Sequence, residues 1–339
     1  MAAALPSRNW LFGKLDVPGV WNGADLWGAG NFPDASRTIV FTAGLAMSGV
    51  LHRPAKVIST HLNYGPVARF IRQVCGTPYC LVAHGIDVSS TLSNARKQAL
   101  REASQLIAVS NWTKERLVQQ CDVDPSLIQV LPNTYDDQRF SPGKIPAYLK
   151  DRYEITLGER VILTVARLDR GEGYKGYDRI LQALPSIRET CGPVRYIIAG
   201  RGEDRTRLEV LARELEVEDA VTFAGFVPDE ELVDHYRLAD VFAMPSTGEG
   251  FGIVFLEAMG CGTPVLGGNR DGSVDALDHG KLGKLVDPTS VEAIAGGLID
   301  LLKRQGPEWW FDREALSNAV RETYGREAFR KRVGEIFGA

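Results

Sequence analysis

The sequence predicts an α/β protein built on doubly wound parallel sheets. Three features carry that expectation. From about residue 160, short apolar runs alternate with amphipathic stretches, as strand–helix–strand units require. The apolar runs are bounded by Gly or Pro and suit strands buried on both faces. One run leads into a glycine-rich turn, Gly248-Glu249-Gly250-Phe251-Gly252, and then straight into a helical stretch. Ligands of such sheets bind at the C-terminal ends of the strands, so this turn falls where a site belongs.

In chain order, residues 1–55 show no clear period. The segment from Trp21-Asn22-Gly23 to Gly28-Ala29-Gly30-Asn31 is rich in Gly and Trp, and 38–50 suits a helix or a strand. A first alternating set follows. Strands are expected at 56–60, 79–83, 106–110 and 128–131, with helices at 66–74, 94–103 and 112–121. The polar, turn-rich segment 142–150 reads as the linker between two domains, 1–145 and 150–319. The second set places strands at 161–168, 194–200, 220–226, 241–245, 264–267 and 284–287. Its helices fall at 178–190, 205–215, 229–238, 252–259 and 290–304. After Gly306, a tail with Trp309, Trp310 and Phe311 reads as one or two helices capping an apolar surface. The last of these, about 320–339, is expected to pack back on the N-terminal domain.

At 339 residues the chain is long enough for two domains. Its net charge of −4 hides an asymmetry. Residues 1–150 carry 15 Lys+Arg against 10 Asp+Glu, a net +5, and the remainder carries 24 against 33, a net −9. A basic half suits an anionic lipid surface or a phosphorylated acceptor, and equally a solvated face with no partner. No long basic run points to nucleic acid. No apolar run approaches the ~20 residues of a membrane span. The N-terminus lacks the basic and apolar regions of a secretory signal. Five scattered cysteines without a CxxC pair suggest neither a disulfide framework nor a zinc site, so a reducing cytoplasm is expected.

The chemistry concentrates around Glu249 and Glu257, eight positions apart across the glycine turn. Helical side chains tilt toward the N-terminus, so both carboxylates are able to face the start of the helix. A helix start favours an anion such as a diphosphate, and carboxylates suit vicinal hydroxyls. Together they describe a pocket for a nucleotide sugar.

With VARLDRGEGYKGYDRI, IIAGRGEDR, FAGFVPDEEL, AHGIDV, AVSNWT and VLPN, the E-x7-E segment resembles the retaining glycosyltransferases of family 4. The resemblance runs from about Lys56 to the end of the chain. It implies a GT-B fold, with two Rossmann-like domains facing across a cleft and the N-terminal one shortened here. The eight-residue step from Arg167 to Lys175, with Glu172 inserted, is similar to a subgroup that builds exopolysaccharides and lipid-linked oligosaccharides. That subgroup includes mannosyl- and glucosyltransferases.

The resemblance also implies roles. Arg167 and Lys175 would clamp the donor diphosphate in place of a divalent metal, so no metal or other cofactor is expected. Glu249 would bind hydroxyls of the transferred hexose and Glu257 the ribose. Backbone N–H groups from Phe251 through Gly252 and Ile253 to Val254, beside Gly250, would hold phosphate and sugar oxygens. His84 would reach the donor sugar. Arg201, within Gly200-Arg201-Gly202, would meet a phosphate or the base, near Phe226 and Val227. Asn133 matches the family's Pro-Asn turn, though Thr134 stands where glycine is usual.

The expected partners are a nucleotide sugar, a saccharide or lipid-linked saccharide acceptor, and an anionic membrane surface. The family's N-terminal Gly-Gly loop has no counterpart; Gly28-Ala29-Gly30 is a poor match, and the acceptor site stays unassigned. The alternatives are a nucleotide-sugar epimerase or a phosphorylase on a similar fold, or a non-catalytic sugar-nucleotide-binding subunit. A glycoside hydrolase would need its carboxylates on opposite sides of the scissile bond, which this pair does not suggest.

Overall fold

A computed structural model describes residues 10–16, 19–21, 24–89 and 92–338. The chain divides into two compact units. One holds the described residues up to Leu131 and those from Phe329 onward; the other is Pro132–Ala328.

In the first unit, β1 (Trp10–Gly13), β2 (Gly19–Trp21) and β3 (Ala24–Gly28) form a small sheet. The middle strand is β3, parallel to β1 and antiparallel to β2. The ambiguous stretch 38–50 is helical, within Asp34–His52. Phe41 fixes this helix by stacking on Trp27 and meeting Tyr64 edge-on, with ring centroids 6.0 and 4.9 Å apart. Gly49 lets the neighbouring helix Gly65–Cys75 approach, since a Cβ there would lie 2.4 Å from Ile71 Cδ1.

A second sheet of this unit runs β4 (Val57–Ser59), β5 (Tyr79–Ala83), β6 (Gln105–Ala108), β7 (Ile128–Val130), all parallel and in sequence order. Every residue of β5 is buried, as a strand covered on both faces should be. Leu62, Leu81, Leu100, Leu106, Leu117 and Ile128 form the heart of the core. Each such side chain contributes roughly 1.5–3 kcal/mol through burial. The C-terminal tail forms two helices, Arg313–Tyr324 and Arg326–Phe337. The chain rejoins the first unit at Phe329, where Gln105 Nε2 donates to Ile336 O and Lys56 lies 4.9 Å above the Phe337 ring.

The linker expected at 142–150 lies inside the second unit, which begins at Pro132. It is largely exposed, but its second half opens a helix that is anchored to a neighbouring acidic one. Helix Ala147–Arg152 packs on Asp229–Leu238, with Tyr148 Oη donating to Asp234 at 2.9 Å and Arg152 paired to Glu231 at 2.6 Å.

The second unit carries six strands: β8 (Arg160–Val165), β9 (Val194–Ala199), β10 (Val221–Gly225), β11 (Val241–Met244), β12 (Val265–Gly268) and β13 (Lys284–Val286). All are parallel, in the spatial order β10-β9-β8-β11-β12-β13. This is the doubly wound arrangement, and the order reverses between β8 and β11. The buried Thr164 hydroxyl bridges that junction by donating to Ala243 O at 2.6 Å. Among the described residues, no helix is long and apolar enough to cross a membrane.

Candidate active site

The loops after β8 and β11 meet at this reversal. Past β8, Leu168 N–H donates to Arg201 O, and a short 3-10 helix, Arg170–Lys175, then turns the chain back. It ends at Gly176, whose φ of 79° suits glycine. A Cβ at Gly176 would lie 2.4 Å from Pro245 O, so glycine lets the β8 loop touch the end of β11. Thr247 N–H donates to Tyr174 O at 2.9 Å and joins the two loops.

This closure puts charges together. Lys175 Nζ lies 3.5 Å from Glu249 Oε2 and 3.5 Å from Glu172 Oε2. Glu172 also pairs with Arg167. The Glu172 side chain is buried, whereas Arg167 is 67% exposed and reaches outward. Two cations thus share one buried carboxylate, with Glu249 at the rim. The sequence singles out Glu172 as an insertion, but its bridging of both cations appears only once the 3-10 helix folds.

Beyond Glu249 the chain reaches Gly252, with φ 91°, and enters helix Ile253–Gly260. The Phe251 side chain is buried and meets Tyr324 edge-on, so only its backbone is available to a ligand. Ile253 is 40% exposed at the helix start. Glu257, one turn on, accepts a hydrogen bond from Tyr236 Oη at 2.8 Å. Burial raises the Glu257 pKa above the usual carboxylate value, and the tyrosine hydroxyl partly opposes that.

The next strands supply the remaining predicted groups. Gly200 and Gly202 flank Arg201 and press on the β8 loop; an added Cβ would lie 1.7 Å from Ala166 O or 2.1 Å from Leu168 O. Arg201 lies 4.8 Å from the centroid of the Phe226 ring, which is 59% exposed, with half-buried Val227 beside it. Arg167, Lys175, Arg201, Phe226, Val227 and Glu249 therefore all follow C-terminal ends of parallel strands. Half-buried Asn133 also lies in this unit, next to Thr134, which donates to Tyr324 O at 2.8 Å.

His84 belongs to the first unit, at the end of β5 and before Gly85 (φ 85°). It is exposed, and its ring Nε2 donates to Thr60 O at 2.9 Å. His61 follows β4 nearby and accepts from Asn63 N–H through Nδ1.

The fold and this charge arrangement define a doubly wound α/β protein with a charged site at the carboxyl ends of its strands. Residues 149–323 match the family model "Glycosyl transferases group 1", and residues 23–139 match "Glycosyltransferase Family 4". The chain belongs to this glycosyltransferase family. It is 38% identical over 231 residues to a GDP-mannose-dependent alpha-(1-6)-phosphatidylinositol monomannoside mannosyltransferase of Mycobacterium tuberculosis, covering 65% of this chain and 59% of that protein. It therefore spans about three fifths of the length of that relative. It is 30% identical over 312 residues to a D-inositol 3-phosphate glycosyltransferase of Acidothermus cellulolyticus, covering 83% and 67%. The GT-B fold is shared with Anabaena HepE, solved in complex with UDP and glucose. That match has a TM-score of 0.75 and 20% identity, over 93% of this chain and 86% of that one. Sucrose-phosphate synthase of Thermosynechococcus elongatus gives 0.74 at 22% identity, over 94% and 84%.

Proposed function

We propose that the chain is a retaining glycosyltransferase that moves a hexose from a GDP- or UDP-linked donor to a saccharide or lipid-linked saccharide, in exopolysaccharide or related glycan synthesis. The observation that carries the proposal is Lys175 held between Glu249 and Glu172 at the sheet's reversal point. Arg167 and Lys175 offer the departing diphosphate fixed positive charge, which stabilises the negative charge developing on it. An arriving diphosphate displaces Glu172 from Arg167. No divalent metal is needed in this scheme.

Glu249 accepts hydrogen bonds from the hexose, and Glu257 from the ribose. The backbone of Phe251 to Val254, beside Gly250, receives phosphate and sugar oxygens. Arg201 with the exposed Phe226 ring and Val227 borders the base, and Asn133 stands near the donor. For His84, contact with the donor sugar rests on the family resemblance alone. The acceptor hydroxyl attacks the anomeric carbon from the face that the diphosphate leaves. A leaving phosphate oxygen takes its proton, and configuration is kept.

The GDP-mannose dependence of the mycobacterial relative makes GDP-mannose the first donor to try. Work at the inner face of the cytoplasmic membrane completes the proposal. Helix Asp34–His52 exposes Ile39, Met47 and Leu51, and residues 34–75 hold five Arg and Lys against one Asp.

The test is transfer from GDP- and UDP-sugars, after thermal shift has shown which nucleotide raises the melting temperature. Lys175→Ala and Glu249→Ala should each cut kcat at least about hundredfold, comparable to losing one transition-state donor. Their melting should stay near that of the native protein, and EDTA should change nothing. Full transfer by either variant removes the assignment. Conversion of donor without acceptor favours the epimerase instead.

A further inference from the structure

One buried charge lies just behind Glu249 and is absent from the donor contacts proposed above. Asp271 follows β12 and is 2% exposed. Its Oδ2 accepts from Ser246 Oγ and from the backbone N–H of Glu249, each at 2.7 Å. Its Oδ1 accepts from Ser273 N–H at 2.9 Å. Ser246 and Ser273 hydroxyls lie 3.1 Å apart. The next residue, Gly272, donates its N–H to Glu249 O at 2.9 Å. Both backbone polar groups of Glu249 are therefore held by two consecutive residues of the β12 loop. Glycine is required at 272, because a Cβ there would lie 2.1 Å from Gly250 O.

A buried carboxylate is costly unless donors surround it. Burial pushes the Asp271 pKa up, and its three donors pull it back. A buried carboxylate held by donors from the loop that carries Glu249 calls for a role. We propose that Asp271 is a positioning residue: through the Glu249 amide and Ser246 it fixes the loop that carries the Glu249 carboxylate to the transferred sugar. The role in turnover rests on the glycosyl-transfer function proposed above; the clamp on the loop does not. Asparagine cannot replace it, because either amide orientation turns an NH2 group toward one of the donors.

The test uses Asp271→Asn, Glu249→Ala and the double variant, with Ser246→Ala as a milder change. In the ligand-free protein, amide hydrogen exchange across 246–252 should speed up about tenfold or more in Asp271→Asn, as expected for loss of a charge-assisted bond. Ser246→Ala should give a smaller increase, and it decides the matter if Asp271→Asn does not fold. In turnover, Asp271→Asn should lower kcat about tenfold or more while nucleoside diphosphate affinity stays within about threefold. The double variant should be no slower than Glu249→Ala, since coupled residues fail to add.

Unchanged exchange overturns the proposal. So does a parallel fall of kcat and nucleotide affinity, or full additivity with Glu249→Ala. If the native protein transfers nothing, glycosyl transfer itself has failed, and the exchange measurement still decides whether Asp271 clamps the loop.

Discussion

Glu257 shows how one side chain's surroundings set its behaviour. In the proposed role it accepts hydrogen bonds from ribose hydroxyls, which it does more strongly when ionised, and burial opposes ionisation. Nucleotide affinity should therefore weaken as pH falls, starting above the ordinary glutamate value of about 4.3. Titration calorimetry from about pH 5 to pH 8 should show that slope, and Glu257→Gln should bind more weakly with the slope flattened. The stability sign runs the other way. A carboxyl whose pKa is raised by folding contributes stability below its unfolded value and loses it as pH rises through the folded one. Glu257→Gln should thus remove one destabilising term at neutral pH. A pH-independent affinity in the native protein would refute this account. The motif made Glu249 and Glu257 legible because both lie in one contiguous run. Tyr236 and Asp271 were not legible. Each acts on a residue about 21 or 22 positions away, through contacts that exist only after the strands pair. Arg270-Asp271-Gly272 reads locally as an ordinary turn.

Elements were legible where periodicity was strong. Every expected strand between 160 and 287 is present, because strands covered on both faces spell continuous apolar runs. The first 55 residues lacked such runs: β1, β2 and β3 hold three to five residues each, too few to establish a period. The 142–150 segment is polar and largely exposed, as composition suggests, but its buried Leu149 and the Tyr148–Asp234 bond tie it to a neighbouring helix, which composition does not reveal. The connection between β8 and its helix depends on one residue. Gly176→Ala combines a positive φ with a Cβ at 2.4 Å from Pro245 O. It should destabilise the fold by about 1–3 kcal/mol in denaturant unfolding, and donor KM should rise as Lys175 shifts. Native stability with native KM would show that the loop tolerates the displacement.

At the scale of the whole molecule, charge is unevenly distributed, and the basic end carries a group of exposed apolar side chains on two of its helices. On helix Asp34–His52, Ile39 is 71% and Met47 64% exposed; on helix Gly65–Cys75, Phe70 and Val74 are exposed as well. Vesicles containing phosphatidylserine should co-sediment the protein. Binding should weaken with added salt, since each Lys or Arg near an anionic surface contributes about 1 kcal/mol that is screened. Ile39→Asp with Met47→Asp should release it at low salt. Equal recovery on neutral and anionic vesicles would dismiss the electrostatic part.

The strand order has a further consequence, for synthesis rather than catalysis. Central β8 pairs with β9 on one side and with β11 on the other, and β11 begins 76 residues after β8 ends. As the nascent chain emerges, β8, β9 and β10 are able to pair at once, leaving the inner edge of β8 open. That edge carries unpaired N–H and C=O groups on an apolar strand, a template for intermolecular pairing. The protein is thus most exposed to aggregation between the emergence of Val165 and that of Val241, and the insertion of β11 that closes this window also delivers Glu249 to Lys175.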